Sequence, residues 1–338
     1  MAALRLPKIR NNPSKIQLER ISHVYFDHED MGSFEEFAKN FGFVEIGRDK
    51  DLTFYRGYGK DPYCYVARKV PKGGKAYKGA AFVAQTQGDF DKAAALDGAE
   101  TTDLIHPGGG RLVTLKTPSG FYLYVLYGQQ ERQVSEPAPP SATVENLGLP
   151  NGSFKKQRLG EFQRFHPGPA MIHKLGHVGY ILNNWYEEAD WYTSNFNFVP
   201  TDVQWHPQDE NVDVIAFIHL DLGERYSDHH SLFLARAQPG DHDHMHHTSY
   251  EVEDFDTQLL GHEWLANKKY HSVWGVGRHI LGSQIFDYWR DTSGFTIEHY
   301  TDGDLVNVNT DTVRSQAGPL AIWGPELPKD FSEDHSVV

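Results

Sequence analysis

The stretch Leu175-Gly176-His177-Val178-Gly179-Tyr180 has a counterpart near the start of the chain, Ile21-Ser22-His23-Val24-Tyr25-Phe26, with a histidine at the same place in an apolar run. Each copy is followed by a second related pair, Asn195-Phe196-Asn197-Phe198-Val199 and Asn40-Phe41-Gly42-Phe43-Val44. Similarity that recurs within one chain is typical of repeated structural units. The chain is therefore predicted to fold as two related halves.

Each half is itself predicted to contain two copies of a smaller unit. In the first unit, Phe34, Phe37 and Phe41 fall on one face of an amphipathic helix that follows the opening strand. Three strands are expected after this helix, which gives a βαβββ module. The acidic start of the second helix, Asp89-Phe90-Asp91, returns in the second half as Asp254-Phe255-Asp256. The predicted fold class is α+β, with four βαβββ modules, two in each domain.

The domain boundaries are predicted from changes in composition. Residues 18–130 form the expected N-terminal domain, and residues 166–305 form the expected C-terminal domain. The segment between them, residues 131–165, contains closely spaced prolines and is typical of a linker. Residues 306–338 are expected to be a C-terminal tail.

The composition limits the classes of function. The 338 residues carry a net charge of −14, whereas a nucleic-acid-binding protein needs a basic face. The chain contains one cysteine, Cys64, which excludes an intramolecular disulfide and suits a reducing compartment. Its apolar runs are shorter than the ~20 residues of a membrane span, and its start lacks the apolar core of a secretory signal. The expected location is the cytosol, without nucleic-acid or membrane partners.

The two halves differ at the positions that suit a metal ion. His177, His247 and Glu298 lie in predicted strands of the second half, whereas the first half has Tyr124 at the place of Glu298 and residues 79–80 at the place of His247. Two neutral imidazoles and one carboxylate form the facial triad of an iron(II)-type ion, which leaves about three octahedral positions open. Only the second half is therefore predicted to bind a metal.

Other interpretations of these residues exist. A single buried histidine is more often a structural residue than a ligand, and a single glutamate in a strand is more often solvated. The histidine-rich run Asp241-His242-Asp243-His244 suits either a mobile loop or an adventitious zinc patch. The loops 223–228 and 238–245 are both expected to border the pocket.

Five pieces of the second half carry a family resemblance. Gly176-His177-Val178 is similar to a first-ligand strand, and His247, followed by Glu251-Val252, is similar to a second-ligand strand. Gly277-Arg278-His279, then Tyr288, then Glu298 match a closing signature in order and spacing. Together they resemble the type I extradiol ring-cleaving catechol dioxygenases of the vicinal oxygen chelate (glyoxalase/bleomycin resistance/dioxygenase) superfamily.

Two further segments fit the same family. Asp228-His229-His230-Ser231-Leu232-Phe233-Leu234 resembles the strand that carries the family's catalytic histidine, which assigns that role to His230. Ile322-Trp323-Gly324-Pro325-Glu326-Leu327-Pro328 resembles the family's C-terminal segment. The resemblance covers residues 170–328 closely and residues 20–130 more weakly.

The resemblance implies a fold, an activity and a set of roles. It implies two open-barrel domains with the vicinal oxygen chelate fold, and extradiol (meta) cleavage of a catechol with O2 in aromatic catabolism. Fe(II) is the implied cofactor, with Mn(II) as the alternative, and a homo-oligomer is the implied assembly. The implied site comprises metal ligands His177, His247 and Glu298, catalytic residues His230, His279 and Tyr288, and substrate-binding residues His229, His246 and Arg278.

Two other functions share parts of this pattern. A metal-dependent glyoxalase-like isomerase or lyase would use the chelating site without O2. A binding or resistance protein would sequester an aromatic ligand between the modules and needs no metal. Arg225, Arg278 and Arg290 are candidates for contact with a substrate carboxylate.

Overall fold

The structure is a computed structural model that describes residues 4–134, 144–145 and 150–337. Within these ranges no helix is both long enough and apolar enough to cross a membrane. Much of the predicted linker, residues 135–143 and 146–149, lies outside the described residues apart from the backbone of 144–145. The predicted domain boundaries therefore remain predictions.

The first half forms one sheet of eight strands with the order β2-β3-β4-β1-β5-β8-β7-β6. Its elements are β1 (Leu18–His28), α1 (Met31–Phe41), β2 (Val44–Asp49), β3 (Leu52–Arg56), β4 (Tyr65–Lys69), β5 (Ala76–Ala84), α2 (Gln87–Ala94), β6 (Glu100–Asp103), β7 (Arg111–Lys116) and β8 (Tyr122–Tyr127). The sequence therefore correctly predicted two consecutive βαβββ modules.

The second half forms one sheet of ten strands with the order β21-β12-β13-β15-β11-β16-β19-β18-β17-β22. The chain reaches it through two short strands that pair with each other, β9 (Val144–Glu145) and β10 (Arg164–Phe165). Its elements are β11 (Ile172–Leu182), α3 (Trp185–Asn195), β12 (Phe198–His206), β13 (Asp209–Leu220), β14 (Ser227–Asp228), β15 (Leu232–Arg236), β16 (His244–Val252), α4 (Phe255–Asn267), β17 (His271–His279), β18 (Ile285–Arg290), β19 (Thr296–Thr301), β20 (Leu305–Val306), β21 (Val313–Gln316) and β22 (Ala321–Trp323). The predicted α+β class with four repeated modules is confirmed.

Both sheets join their two modules in the same way. The first strands of the two modules pair antiparallel at the centre, β1 with β5 and β11 with β16. Each of these strands also pairs in parallel with the last strand of a module, as β5 does with β8 and β16 does with β19. In each half, one strand therefore lies between the strand that carries the histidine and the last strand of the second module.

The two halves pack closely where α1 ends. The side chain of Asp30 accepts a hydrogen bond from the backbone of Ser33 at the start of this helix. Gly42 ends it in the left-handed region at φ 105°, and a Cβ atom there would lie 1.8 Å from the carbonyl oxygen of Ala170. Glycine is thus required both by the turn and by contact with the second half.

His299 also joins the two halves, and it does so from the back of the strand that carries Glu298. Its Nε2–H donates to the carbonyl of Phe41 at 2.7 Å, and its ring stacks on that phenylalanine at 3.7 Å between centroids. Burial lowers the pKa of His299 to about 3, so the ring is neutral. The sequence alternation had correctly separated this side chain from the face of Glu298.

We expect His299→Ala to destabilise the protein by about 2–4 kcal/mol, because it leaves a cavity and an unpaired buried carbonyl. The exposed His271 supplies the matched control, His271→Ala, which should change the free energy of unfolding by less than about 0.5 kcal/mol. Chemical denaturation of both variants measures the difference. Equal stabilities would show that this contact contributes nothing to the association of the halves.

Candidate metal centre

Strand register brings the three predicted metal ligands to one face of the second sheet. His177 in β11 and Glu298 in β19 both pair with Ser249, which lies in β16 between them. His247 is two residues before Ser249 in the same strand. Because side chains alternate along a strand and paired residues share a face, all four side chains point to the same side of the sheet.

The first half repeats this register without the chemistry. His23 pairs with Ala81, and Ala81 pairs with Tyr124, so these three residues occupy the places of His177, Ser249 and Glu298. His23 is buried against Tyr25 and Tyr63, and this burial lowers its pKa to about 3. The equivalence of Tyr124 and Glu298 was predicted from the sequence, and the register supports it. His23 is a packed residue without a carboxylate partner at the equivalent position.

The donor atoms of the second half converge on one point. The two Nε2 atoms of His177 and His247 lie 2.9 Å apart, and they lie 3.3 Å and 3.6 Å from Oε2 of Glu298. An ion bound by about 2.1 Å bonds at right angles separates its donor atoms by about 3 Å. These distances and this donor set therefore fit a divalent metal ion.

The burial of Glu298 supports the same conclusion. Its side chain is fully buried, and the described residues give it no lysine, arginine or backbone N–H as a partner; the phenol of Tyr288 is its hydrogen-bonding neighbour. An ionised carboxylate without such partners is costly to bury unless a cation compensates its charge. A metal held together with His177 and His247 provides that compensation.

His246 controls which nitrogen of His247 faces the other donors. The Nε2 of His246 lies 3.0 Å from the carbonyl oxygen of Phe331, so it must carry the proton and donate. Burial lowers the pKa of His246 to about 3, and the neutral ring therefore accepts at Nδ1 from the Nδ1–H of His247, 2.6 Å away. This leaves a lone pair on Nε2 of His247, as metal binding requires.

We expect His246→Ala to weaken metal binding by about 10- to 100-fold, because the orienting partner of a metal-bound histidine is lost. His246→Asn, whose amide oxygen can accept from the same N–H, should recover part of the affinity, and His271→Ala should match the wild type. Competition with a chelator measures all three affinities. An unchanged affinity in His246→Ala would contradict the orienting role.

His230 lies next to His177, with 4.1 Å between the ring centroids. Burial lowers its pKa well below the ordinary histidine value, so the ring is neutral. Behind it, Nδ1 of His229 is 3.2 Å from Nδ1 of His230, while Nε2 of His229 is 2.7 Å from a carboxylate oxygen of Asp202. When His229 donates to Asp202 and accepts from His230, the Nε2 lone pair of His230 is free for a substrate proton.

His279 and Tyr288 stand on the other side of the donor cluster, on the neighbouring strands β17 and β18. Their side chains meet at 3.1 Å between Nε2 and the hydroxyl, and Nδ1–H of His279 donates to the carbonyl of Leu320. Burial raises the pKa of Tyr288 well above its ordinary value, and the nearby Glu298 raises it further. The phenol therefore keeps its proton and can donate a hydrogen bond.

Six of the nine predicted site residues line one cavity (His177, His230, His246, His247, His279 and Tyr288). Glu298 lies behind His177 and His247, in contact with both. The structure does not bring the other two to the wall. His229 contacts His230 from behind, and Arg278 donates to the carbonyl of Ser283 and pairs with Asp302 at 2.7 Å. Their predicted contact with substrate is not supported by these positions.

The remaining cavity wall was not anticipated from the sequence. Apolar residues form most of it, with two glutamines (Phe217, Phe233, Leu281, Pro319, Leu320, Phe331, Gln204 and Gln284). β13 pairs with β15 so that Phe217 lies beside Phe233. The alternation of side chains along a strand is the signal in the sequence that could have indicated the face on which each of them lies. Leu320 and Phe331 come from the C-terminal tail, and no pattern in the sequence indicates their place.

The two loops that were expected to border the pocket, residues 223–228 and 238–245, lie at two separate places in the structure. Residues 226–228 line a separate cavity together with Glu19 and Lys174. In the histidine-rich run, Asp241, His242 and His244 have ligand atoms close enough for a second ion. His244, however, contacts the carbonyl of Ser332, and His242 contacts Asp334, so these side chains hold the tail.

Comparisons with known proteins agree with this geometry. No protein-family model matches the chain. It is 26% identical over 324 residues to metapyrocatechase 2 of Cupriavidus necator, which covers 92% of this chain and 90% of that protein. Its fold matches homoprotocatechuate 2,3-dioxygenase of Brevibacterium fuscum in complex with 3,4-dihydroxyphenylacetate, with a TM-score of 0.73, 15% identity and coverage of 97% and 94%.

A metal-bound protein of another activity also has this fold. The Mn(II)-bound glyoxalase of Novosphingobium aromaticivorans matches with a TM-score of 0.71 and 18% identity, covering 92% of this chain and 94% of that one. Similarity at this identity shows the shared fold, whereas the metapyrocatechase match extends over nearly the whole sequence. The chain is a homologue of the extradiol catechol dioxygenases and has the vicinal oxygen chelate fold.

Proposed function

We propose that this protein is an extradiol dioxygenase that opens the ring of a catechol beside its two hydroxyls and adds both atoms of O2 to the product. The observation that carries the proposal is the buried cluster of His177, His247 and Glu298 at the base of a cavity lined by His230 and Tyr288. Homology to metapyrocatechase 2 supports the same reaction.

The proposed cofactor is Fe(II), held by His177, His247 and Glu298. Bound there, it would place both catechol oxygens and O2 side by side and let charge pass from the ring to oxygen. Mn(II) accepts the same ligands, and selection between the two ions depends on geometry and supply. The protein's own contribution is to hold three donors on adjacent strands, where their relative positions are fixed by the sheet.

His230 is the proposed acid and base. Its neutral ring on the cavity wall can accept a proton from a catechol hydroxyl at Nε2, and it can return that proton to the cleaved product oxygen. Asp202 and His229 support this role because they hold its Nδ1 side and keep the ring in one orientation. His229 is thus proposed as a positioning residue rather than a substrate contact.

Tyr288 is the proposed hydrogen-bond donor to the reacting oxygens, and His279, whose one N–H bonds to Leu320, is proposed to position the phenol through its Nε2. They meet each other on the cavity wall, and the phenol remains protonated because it is buried beside Glu298. Donors that are fixed before the substrate arrives stabilise developing negative charge without reorganisation. The apolar residues around them exclude water, which strengthens these interactions.

Oxygen consumption by the iron-loaded protein with catechol tests the proposal. We expect one O2 to be consumed per catechol, with a yellow product whose mass equals catechol plus two oxygen atoms. Metal retained without O2 uptake on any of a broad catechol panel would contradict the proposal and favour an isomerase or lyase. A protein that binds catechols equally well without metal would instead favour the sequestering function.

The cytosolic location and the homo-oligomeric state stay predictions. The location was predicted from the single cysteine and the lengths of the apolar runs. The oligomeric state was predicted from the family resemblance alone.

A further inference from the structure

We propose that the natural substrate is a catechol whose ring substituent is uncharged and apolar, an alkyl or aryl group rather than a group that carries a carboxylate. The proposal rests on the proposed function and names the substrate class of the same site. It is carried by the absence of any lysine or arginine among the described residues that line the metal cavity, and by a neighbouring groove with many apolar residues that shares four lining residues with this cavity.

Among the described residues that line the metal cavity, no lysine or arginine is present to pair with an anion. Its residues other than histidine and tyrosine are apolar, apart from the neutral amides of Gln204 and Gln284. A carboxylate moved from water into such surroundings loses hydration that an amide does not replace.

The three arginines that the sequence offered for a substrate carboxylate are engaged elsewhere. Arg225 makes two hydrogen bonds to Glu19, at 2.7 Å and 2.8 Å. Arg278 pairs with Asp302 outside the cavity. Arg290 lies in the field of four carboxylates at one end of the tail (Asp291, Asp330, Glu333 and Asp334). Arg225 and Arg278 are therefore paired outside the metal cavity, and none of the three arginines lines it.

An apolar substituent, in contrast, has a place to go. The cavity shares Phe233, His246, Leu320 and Phe331 with a neighbouring groove, so the two spaces adjoin at these residues. The groove continues along apolar side chains (Ile181, Val214, Ile215, Ala317, Leu327 and Pro328). A ring bound at the metal can thus bury an alkyl or aryl group along this path and gain the free energy of removing it from water.

Two cations, Arg236 and Lys329, also line this groove and set a limit to the proposal. The buried Nη2 of Arg236 has no hydrogen-bond partner among the described residues. Arg236 donates to the carbonyl of Asp213 and lies 5.3 Å from the centre of the Trp185 ring, while Lys329 is exposed in the tail. Neither lines the metal cavity itself. The exclusion of charge therefore applies to groups attached at or near the ring.

A matched pair of substrates tests the proposal. 3,4-Dihydroxyphenylacetate and its methyl ester have the same ring and differ in one negative charge, and 4-ethylcatechol and unsubstituted catechol complete the set. Oxygen uptake by the iron-loaded protein gives kcat/KM for each. We expect the ester and 4-ethylcatechol to exceed the acid by about 100-fold or more, since the acid must bury an unpaired charge.

A variant with a cation on the wall provides the reciprocal test. Leu281 is half-buried in the turn between β17 and β18 and lines the cavity, and Leu320 is a second site of the same kind. Leu281→Arg, or Leu320→Arg if the first fails to fold, should reduce the ratio of ester to acid by at least about 10-fold.

The possible outcomes distinguish a failure of the proposed function from a failure of the proposed substrate class. If the protein cleaves none of the four compounds, the proposed function is wrong. If it cleaves catechol but treats the acid and the ester alike, or prefers the acid, the reaction stands and the substrate class is overturned. A preference for the ester that shrinks in the arginine variant supports the class.

Discussion

Glu298→Gln is expected to lose the metal ion and to lower the oxygenase activity by at least about 1,000-fold, because the metal supplies the central electrostatic and positional effects of this chemistry. The substitution keeps the size of the side chain and removes the one negative charge that faces His177 and His247. Metal analysis after dialysis measures the loss, and oxygen uptake with catechol measures the activity.

Glu298→Gln is also expected to change the stability of the metal-free protein. In the metal-free protein, Glu298 is a buried carboxylate beside the phenol of Tyr288, without a lysine, arginine or backbone N–H partner among the described residues. Its replacement by a neutral amide removes a buried charge, so metal-free Glu298→Gln should unfold at the same or a higher denaturant concentration than the metal-free wild type. Added metal should stabilise only the wild type.

Glu188→Gln is the matched control for both measurements. Glu188 is also fully buried, but its carboxylate accepts from the backbone of Ser119, and it lies on α3 away from the donor cluster. This control should keep its metal and its activity. If Glu298→Gln binds the metal as tightly as the control does, Glu298 is not a ligand.

The part of the site that lies in strands was predictable for two reasons. Side chains alternate between the two faces of a strand, and the internal repeat shows which positions of the two halves are equivalent. Once the two halves were aligned, His177 and Glu298 fell at equivalent places in repeated strands, and the structure places them on either side of Ser249 in the strand between them. Alternation likewise put His299 on the opposite face, where it contacts Phe41. These features depend on local backbone geometry, which the sequence expresses directly.

The part of the site that depends on loops and on the tail was not predictable. Phe331 is far from His246 in the sequence, and only the path of the tail brings its carbonyl to that ring. Arg278 is adjacent to His279, yet the end of β17 directs its side chain toward Asp302. Nothing in the composition or spacing of these residues encodes such contacts, because they arise from tertiary packing.

The position of His229 shows how the structure changes the meaning of a motif. From the sequence, His230 was assigned the catalytic role and its neighbour His229 was assigned contact with the substrate. In the structure, His229 is held between Asp202 and His230, so only His230 reaches the cavity. His229 therefore orients the ring of His230, and His230 faces the cavity.

His230→Phe should consequently lower kcat by about 10²- to 10⁴-fold, the usual contribution of a positioned acid and base. Phenylalanine keeps an aromatic ring against His177 and Phe217, so the cavity should retain its shape, its metal and a similar KM. His219→Phe is the control, because His219 is buried in the same sheet but bonds to Thr201. Its kcat per bound metal should match the wild type even if its stability falls.

The separation of kcat from metal content is what makes this prediction specific to proton transfer. A variant that loses activity only in proportion to lost iron would assign His230 a structural role beside His177. Full metal occupancy with slow turnover would instead place the missing step after substrate binding, where a proton must leave the catechol and return to the product. An unchanged kcat in fully loaded His230→Phe would remove His230 from the mechanism and leave Tyr288 and His279 as the remaining candidates on the cavity wall.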